Sequence, residues 1–295
     1  MKLSIIIVHF NTPELLEKCL DSLVEKKLPE EWEIIVVDNG SNSKLQIPIF
    51  KQIQIINIQI ITTNQNLGFS KANNIGIAKS TGEYVLLLNP DTIVSQHAIR
   101  RVIDYMDVDV RVGIATCKVQ LPNGTIDDAC HRGFPTPWNA LCHFSGIGSL
   151  FPHSILFNGY HMGYRNMDRI HELDACVGAF MMIRRSAGEK LKWLDEDYFW
   201  YGEDIDFCYR MKKQGMAVVY IPAVSITHVK GASSGIQKHS QHQSSATVQT
   251  KAIAQKARFE AMRIFYRKHY HQTYSRFTYR MVMKGIEVME KFVAV

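Results

Sequence analysis

Leu3-Ser-Ile-Ile-Ile-Val-His-Phe-Asn11 opens the chain, and its reading decides the fold. Residues 3–8 are a short β-branched run, the pattern of a strand buried on both faces. The run stops at His9 and Asn11. Thr12 then reads as an N-cap with Pro13 at the first helical position, and Leu15, Leu16, Cys19, Leu20 and Leu23 follow at helical spacing. Further strands are expected over 33–37, near 55–62 and over 84–88, with a helix over 70–79. The first hundred residues thus read strand–helix–strand–loop–strand–helix–strand. Continuous apolar strands alternating with helices indicate a mostly parallel sheet covered on both faces.

Polar residues collect where these strands end: His9 and Asn11, Asp38 and Asn39, Asn64 and Asn66, Asn89 and Asp91. Ligands of such sheets bind at the carboxyl ends of the strands. Beyond them, 117–175 is irregular and its elements are not placed. Residues 174–184 read as a buried strand or close-packed segment around Gly178, 186–193 as a helix, and 217–221 as a strand with a further extended stretch at 224–227. Glu203-Asp-Ile-Asp206 opens a helix running to about Gln214, where carboxylates favour the positive end of the dipole.

The chain has 295 residues, 46% hydrophobic and 21% charged, which argues against a disordered or disulfide-scaffold protein. Its six cysteines include no CxxC and read as free thiols in a reducing compartment. Cys130-His131 and Cys142-His143 lack the spacing of structural zinc. No apolar run nears the ~18 residues of a membrane span, and the start is too short and polar for a signal peptide, so a cytoplasmic location is expected. The net charge of +6 is uneven. Residues 251–284 hold nine Lys/Arg against Glu260 alone, and 231–249 read as a Ser-, Gln- and His-rich linker. Three stretches are expected: a domain over 1–232, a flexible linker over 233–250 and a basic helical segment over 251–295. The basic stretch suggests an anionic partner, or a solvated helix face.

Five motifs in order, SIIIVHFN (4–11), IVVDNGS (35–41), NLGFSKANNIG (66–76), GEYVLLLNPDT (82–92) and GEDIDFCYR (202–210), resemble the family 2 glycosyltransferases, and most of all their rhamnosyltransferase-like members. The resemblance covers roughly residues 3–232. It implies a GT-A fold, a Rossmann-like α/β arrangement with a mostly parallel mixed sheet flanked by helices, here with a C-terminal helical extension. It implies inverting transfer of a sugar, dTDP-L-rhamnose being the foremost donor and UDP- or GDP-sugars the alternatives, to a hydroxyl of a polysaccharide or lipid-linked oligosaccharide. It places Val8, Asn11, Asp38, Asn66, Gly68 and Asn89 around the nucleotide sugar. Asn89-Pro90-Asp91 stands where the family has an Asp-x-Asp metal motif. Asp91 is then the metal ligand, with His228 able to complete the coordination of Mg²⁺ or Mn²⁺, and Asn89 takes away one negative charge. Asp204 is implied as the catalytic base, with Glu203 as runner-up.

Each residue has a plainer reading: Asp38 as a turn cap, Asn73 and Asn74 as junction residues, His228 as structural, and 198–201 as core aromatics. Two other functions fit the composition. A nucleic-acid binder would suit the basic tail, which carries no reading module, and no nucleic acid is expected. A non-catalytic nucleotide-sugar binder would not need Asp204. The tail is expected to touch an anionic membrane surface, and the oligomeric state is open.

Overall fold

The computed structural model describes residues 1–24, 27–42, 57–229 and 247–293. Most of the expected linker therefore lies outside the described residues, as do 53–56 of the isoleucine-rich stretch. Strand β1 (Leu3–His9) is buried along its whole length, as the unbroken apolar run requires. It pairs in parallel with β2 (Trp32–Asp38), which pairs in parallel with β3 (Ile58–Thr62). The other edge of β1 takes β4 (Tyr84–Leu88), again in parallel. Five further strands complete the sheet: β5 (Thr92–Ile93), β6 (Val112–Gln120), β7 (His171–Glu172), β8 (Phe180–Arg184) and β9 (Ala217–His228). The order is β3-β2-β1-β4-β8-β6-β9-β5, with β7 beside β9. Only β8 and the two-residue strands β5 and β7 run antiparallel to their neighbours. The expected mostly parallel mixed sheet is present.

The longer helices are α1 (Pro13–Val24), α2 (Phe69–Lys79), α3 (Gln96–Val108), α4 (Pro137–Phe144), α5 (Arg185–Lys190), α6 (Glu203–Lys213), α7 (Val248–Phe265) and α8 (Arg276–Val293). Helix α2 packs on β1 and β2, and α3 on β6 and β9. Asn73 bonds within α2, and Asn74 ties the helix to the 194 loop. Asn73 donates to Phe69 O at 2.9 Å, and Asn74 donates to Leu194 O at 2.9 Å and accepts from Leu194 N at 3.2 Å.

Pro222 lies inside β9. Against β6, the partner of Cys117 is Ile221 and the partner of Lys118 is Ser225, so the strand bulges over 222–224. A proline cannot donate to a ladder, and a bulge is where a strand tolerates one. The two extended pieces expected at 217–221 and 224–227 are thus one bent strand. Its far end pairs with β5, setting His228 opposite Thr92.

Helices α7 and α8 lie against the sheet domain. Ala261 and Ile264 pack on Tyr198, the Tyr266 hydroxyl donates to Pro135 O at 2.6 Å, and His269 Nε2 meets Asp206 Oδ1 at 2.7 Å. Arg263 pairs with Glu260 and Glu290, Lys268 with Asp195 and Asp197, and Lys284 with Glu287. These partners spend part of the basic charge of 251–284 inside the molecule. None of the described helices is long and apolar enough to cross a membrane.

Gly68 begins α2 with φ 85° and ψ 168°, a region essentially closed to residues with a Cβ. A Cβ there would also sit 2.6 Å from Phe199 O, the acceptor of the Phe69 N–H. Gly68→Ala should therefore destabilise the protein by at least about 1–3 kcal/mol, the range for a residue forced into such backbone. Urea unfolding of the two proteins measures the loss, and an unchanged midpoint would refute it.

Candidate active site

The parallel strands β1, β2, β4 and β9 all end at one side of the sheet, and a cavity of about 930 Å³ opens there. Val8, Asn66, Gly68, Asn89, Asp91, Glu203, Asp204 and His228 line it. Asp38 and Asn11 stand behind its wall. Asp38 is buried, and its Oδ1 accepts the Ser41 N–H at 3.2 Å. Asn11 Oδ1 accepts the Asn42 N–H at 2.9 Å. The lining residue at that strand end is Asn39. It donates to Asn66 Oδ1 at 3.0 Å and Gly68 O at 3.2 Å and accepts the Leu67 N–H at 2.9 Å, so it holds the 66–68 loop against the end of β2.

On one wall, the β5–β9 pairing brings Asp91 and His228 together. Val229 N donates to Asp91 O at 2.9 Å, and His228 Nε2 lies 3.2 Å from Asp91 Oδ1. His228 Nδ1 meets Asp127 Oδ2 at 3.1 Å. Burial alone would lower His228, but Asp91 and Asp127 outweigh it and raise the imidazole to about 9. The ring is then a cation held between two buried carboxylates.

A divalent metal fits this donor set. It would take the place of the Nε2 proton, with Asp91 and His228 as its protein ligands and Asp127 fixing the ring from behind, the usual support of a metal-bound histidine. No group of three or more His, Cys, Asp or Glu is placed to hold a metal among the described residues, so such an ion needs further oxygens from a diphosphate and water, as Mg²⁺ commonly does.

Across the cleft, Gly202 caps α6 with φ 85°, and Tyr201 before it has φ 72°. Positive φ in a bulky residue is strained and is commonly kept at functional sites. The turn delivers Glu203 and Asp204 to the first turn of α6, where the helix dipole favours carboxylates. Asp204 Oδ2 accepts from Arg132 Nη2 at 2.6 Å, and its Oδ1 accepts the Ile205 N–H at 2.7 Å. Asp206 points elsewhere: it takes Arg210 Nε at 2.6 Å and His269, tying α6 to the C-terminal segment. Glu203 Oε2 is buried with no hydrogen-bond partner among the described residues. Burial, and then the Asp204 carboxylate, push Glu203 up to about 8.

Of the aromatic run, Tyr198 is core, whereas Trp200 and Tyr201 line the cavity as a stacked pair with centroids 6.0 Å apart. Arg132 and Asp127, which hold the two acidic centres, come from the irregular 117–175 stretch. Neither belongs to a motif, and no periodicity marks them.

Because the folded pKa of Glu203 exceeds that of an ordinary glutamate, near 4.5, the folded protein binds more protons than the unfolded chain between that value and about 8. Its contribution to stability therefore falls as pH rises through this window. Glu203→Gln removes the penalty. Thermal melts should show the variant several degrees more stable than the parent above pH 8 and nearly equal to it at pH 5. Equal melting temperatures across the range would contradict the assignment.

The family model described as "Glycosyl transferase family 2" matches residues 4–192. The chain is 28% identical over 235 residues to the rhamnosyltransferase WbbL of Escherichia coli, covering 76% of this chain and 82% of that one. It is 26% identical over 248 residues to the N-acetylglucosaminyl-diphospho-decaprenol L-rhamnosyltransferase of Mycobacterium tuberculosis, covering 79% and 78%. It is 27% identical over 231 residues to the Low-salt glycan biosynthesis hexosyltransferase Agl10 of Haloferax volcanii, covering 77% of this chain and 66% of that protein. The fold is that of Staphylococcus aureus TarS residues 1–349 in complex with UDP-GlcNAc, with a TM-score of 0.59 and 15% identity over 97% of this chain and 71% of that one. It is also that of GalNAc-T7 with UDP, GalNAc and Mn²⁺, with a TM-score of 0.57 and 16% identity over 77% and 44%. With well over half its length matched, and the ends of β1, β2 and β4 within that match, the chain belongs to the family 2 glycosyltransferases.

Proposed function

We propose that the protein transfers L-rhamnose from dTDP-L-rhamnose, with inversion, to a hydroxyl of a polysaccharide or lipid-linked oligosaccharide. The observation that carries this reading is the placement of Asp91–His228 and Glu203–Asp204 on facing walls of one cleft. Two of the relatives above bear rhamnosyltransferase names, which supports the choice of sugar. The donor lies with its nucleotide on the Asn39–Asn66–Gly68 side. Asp38 acts from behind that wall by fixing the turn that presents Asn39. Asp91 and His228 are the residues that would hold a divalent ion, and such an ion would supply neutralisation of the diphosphate leaving group. Trp200 and Tyr201 offer a flat apolar face to a sugar ring.

Asp204 takes the proton from the attacking acceptor hydroxyl. Arg132, paired to its outer oxygen, sets the direction of the carboxylate. Glu203 is the second reading for the base: its Oε2 has no partner among the described residues, and a carboxyl that titrates near the working pH is well matched to proton transfer. UDP- or GDP-sugars are the alternative donors. The protein works on the cytoplasmic side of a membrane, with exposed basic residues of 251–284 such as Arg267, Arg276 and Arg280, which have no ion-pair partner among the described residues, facing anionic lipid.

Loss of a general base typically costs about 10²–10⁴ in rate. Asp204→Asn should lower kcat by that order while donor binding, read by thermal shift, stays within about twofold. Glu203→Gln should cost far less. If the two losses change places, Glu203 is the base. If neither variant affects turnover, the protein is a binder and not a transferase.

Donor hydrolysis or thermal shift across dTDP-, UDP- and GDP-sugars should favour the dTDP donor. The response should disappear with a chelator, return with Mn²⁺ or Mg²⁺, and be absent in Asp91→Ala. A chelator-insensitive response would remove the metal from the reading.

A further inference from the structure

Helix α6 carries Glu203 and Asp204 into the cleft, yet its own start is weakly fixed. Its N-cap is Gly202, and no side chain caps the first turn. The turn before it is strained, with Tyr201 at φ 72° and Gly202 at φ 85°. Such backbone persists only where the surrounding structure holds it. Here the C-terminal segment does so. A Cβ on Gly202 would lie 3.0 Å from the Ala261 Cβ of α7, so α7 sits directly on the turn. Ala261 also packs on Tyr198, with Tyr201 against the same cluster.

Beyond Phe265 the helix runs on into a π-helical turn, Tyr266–Tyr270. Single π turns recur at functional sites. This one brings His269 to α6, with Nε2 2.7 Å from Asp206 Oδ1. Asp206 is fully buried and belongs to the same first turn of α6 as Asp204. Its other oxygen takes Arg210 Nε at 2.6 Å, and Arg210 donates to Leu191 O and Trp193 O at 2.9 Å each. Arg210 thus anchors Asp206 to its own helix and to the 191–193 loop, whereas the His269 hydrogen bond sets the turn against the C-terminal segment. A carboxylate only accepts, so the ring nitrogen facing it carries a proton. Tyr209 and Phe265 lie against the His269 ring with centroids 4.5 and 4.9 Å away, which leaves it little freedom to turn aside.

Asp204, two positions before Asp206, has one oxygen on Arg132 and the other on the Ile205 N–H. Its direction therefore follows the first turn of α6. Catalytic groups must be held within about 0.5 Å of their productive geometry. We propose that His269 is a positioning residue for the transfer reaction: by bonding to Asp206 it fixes the first turn of α6 and so aims Asp204 at the acceptor hydroxyl. This deepens the transferase reading and rests on Asp204 as the base. It gives the C-terminal helices a part in the chemistry besides any contact with lipid.

The test uses the full chain and the hydrolysis of dTDP-L-rhamnose, UDP-glucose or GDP-mannose, whichever is fastest, with water standing for the acceptor hydroxyl. In His269→Gln the side-chain amide puts an N–H close to the place of Nε2. In His269→Asn the amide stops one bond short of Asp206. Thermal melts check that both fold. A misplacement of about 1 Å can cost 10² in rate, so His269→Asn should lower kcat roughly tenfold or more. His269→Gln should stay within about threefold of the parent, and the donor KM within about twofold in both. Asp206→Asn should give the same fall in kcat, which keeps the route open to test if His269→Asn loses stability. Residues that act as a unit are non-additive, so His269→Asn added to Asp204→Asn should cost no more than about twofold further. Losses that multiply in the double variant would overturn the proposal, because His269 would then act apart from Asp204. So would equal losses in the Gln and Asn variants, or a raised KM with kcat intact. If Asp204→Asn slows hydrolysis while His269→Asn and Asp206→Asn do not, only the positioning role fails. If Asp204→Asn leaves the rate unchanged, the base assignment fails and takes the positioning role with it. If the parent releases nucleotide from none of the three donors, the transferase reading itself fails.

Discussion

A carboxylate taken out of water without a counter-charge costs several kcal/mol, and the architecture around the cleft follows from meeting that cost. Asp91 and Asp127 share the His228 imidazole, Asp204 has Arg132, and Asp206 has Arg210 and His269. Apart from Arg210, which lies one turn along the same helix as Asp206, these partners come from distant parts of the chain, so their pairs also fasten one element to another. The end of β9 is fixed to the 127 turn, the 132 strand-side loop to α6, and α6 to the C-terminal segment. Glu203 has no such partner among the described residues, and its titration is displaced toward neutrality. Among the described residues around the cleft, the other buried acids, Asp91, Asp127, Asp204 and Asp206, have a counter-charge, and Glu203 is left without one.

The sheet was legible because its strands are pure apolar runs with abrupt polar ends, a signal that needs no partner to be read. Leu3–His9, Trp32–Asp38 and Tyr84–Leu88 announce themselves in this way. Strands of two residues, β5 and β7, exist only because a neighbour pairs with them, and no local pattern foretells them. Pro222 made β9 look like two pieces, since the bulge that accommodates it depends on β6.

The acids of the site stood out in the sequence because they sit at strand ends or crowd a helix start. Their counter-charges did not. Arg132 and Asp127 lie in a stretch shaped by side-chain bonds to backbone, such as Trp138 to Leu156 O and Asn158 to Pro152 O, which have no period. His143 and Arg258 stand far apart in the chain, yet the Arg258 charge acts on the His143 imidazole in the folded protein. Asp38, prominent in the sequence, turned out to stand one layer behind the lining, with Asn39 in front of it. A residue at a strand end can be identified from sequence, but the direction its side chain takes is decided by the loop that follows.

The cleft has two builders. The strand ends and their loops shape the part nearest the sheet, while the last fifty residues and α4 shape the part farthest from it. On the proposed reading, the features that would select what is given and what receives it are written in separate tracts of one gene. Drift confined to the lining residues of the tail could redirect the enzyme to a new recipient while the inherited chemistry stays untouched. Lineages sharing this scaffold would then diversify their glycans from the carboxyl-terminal end inward.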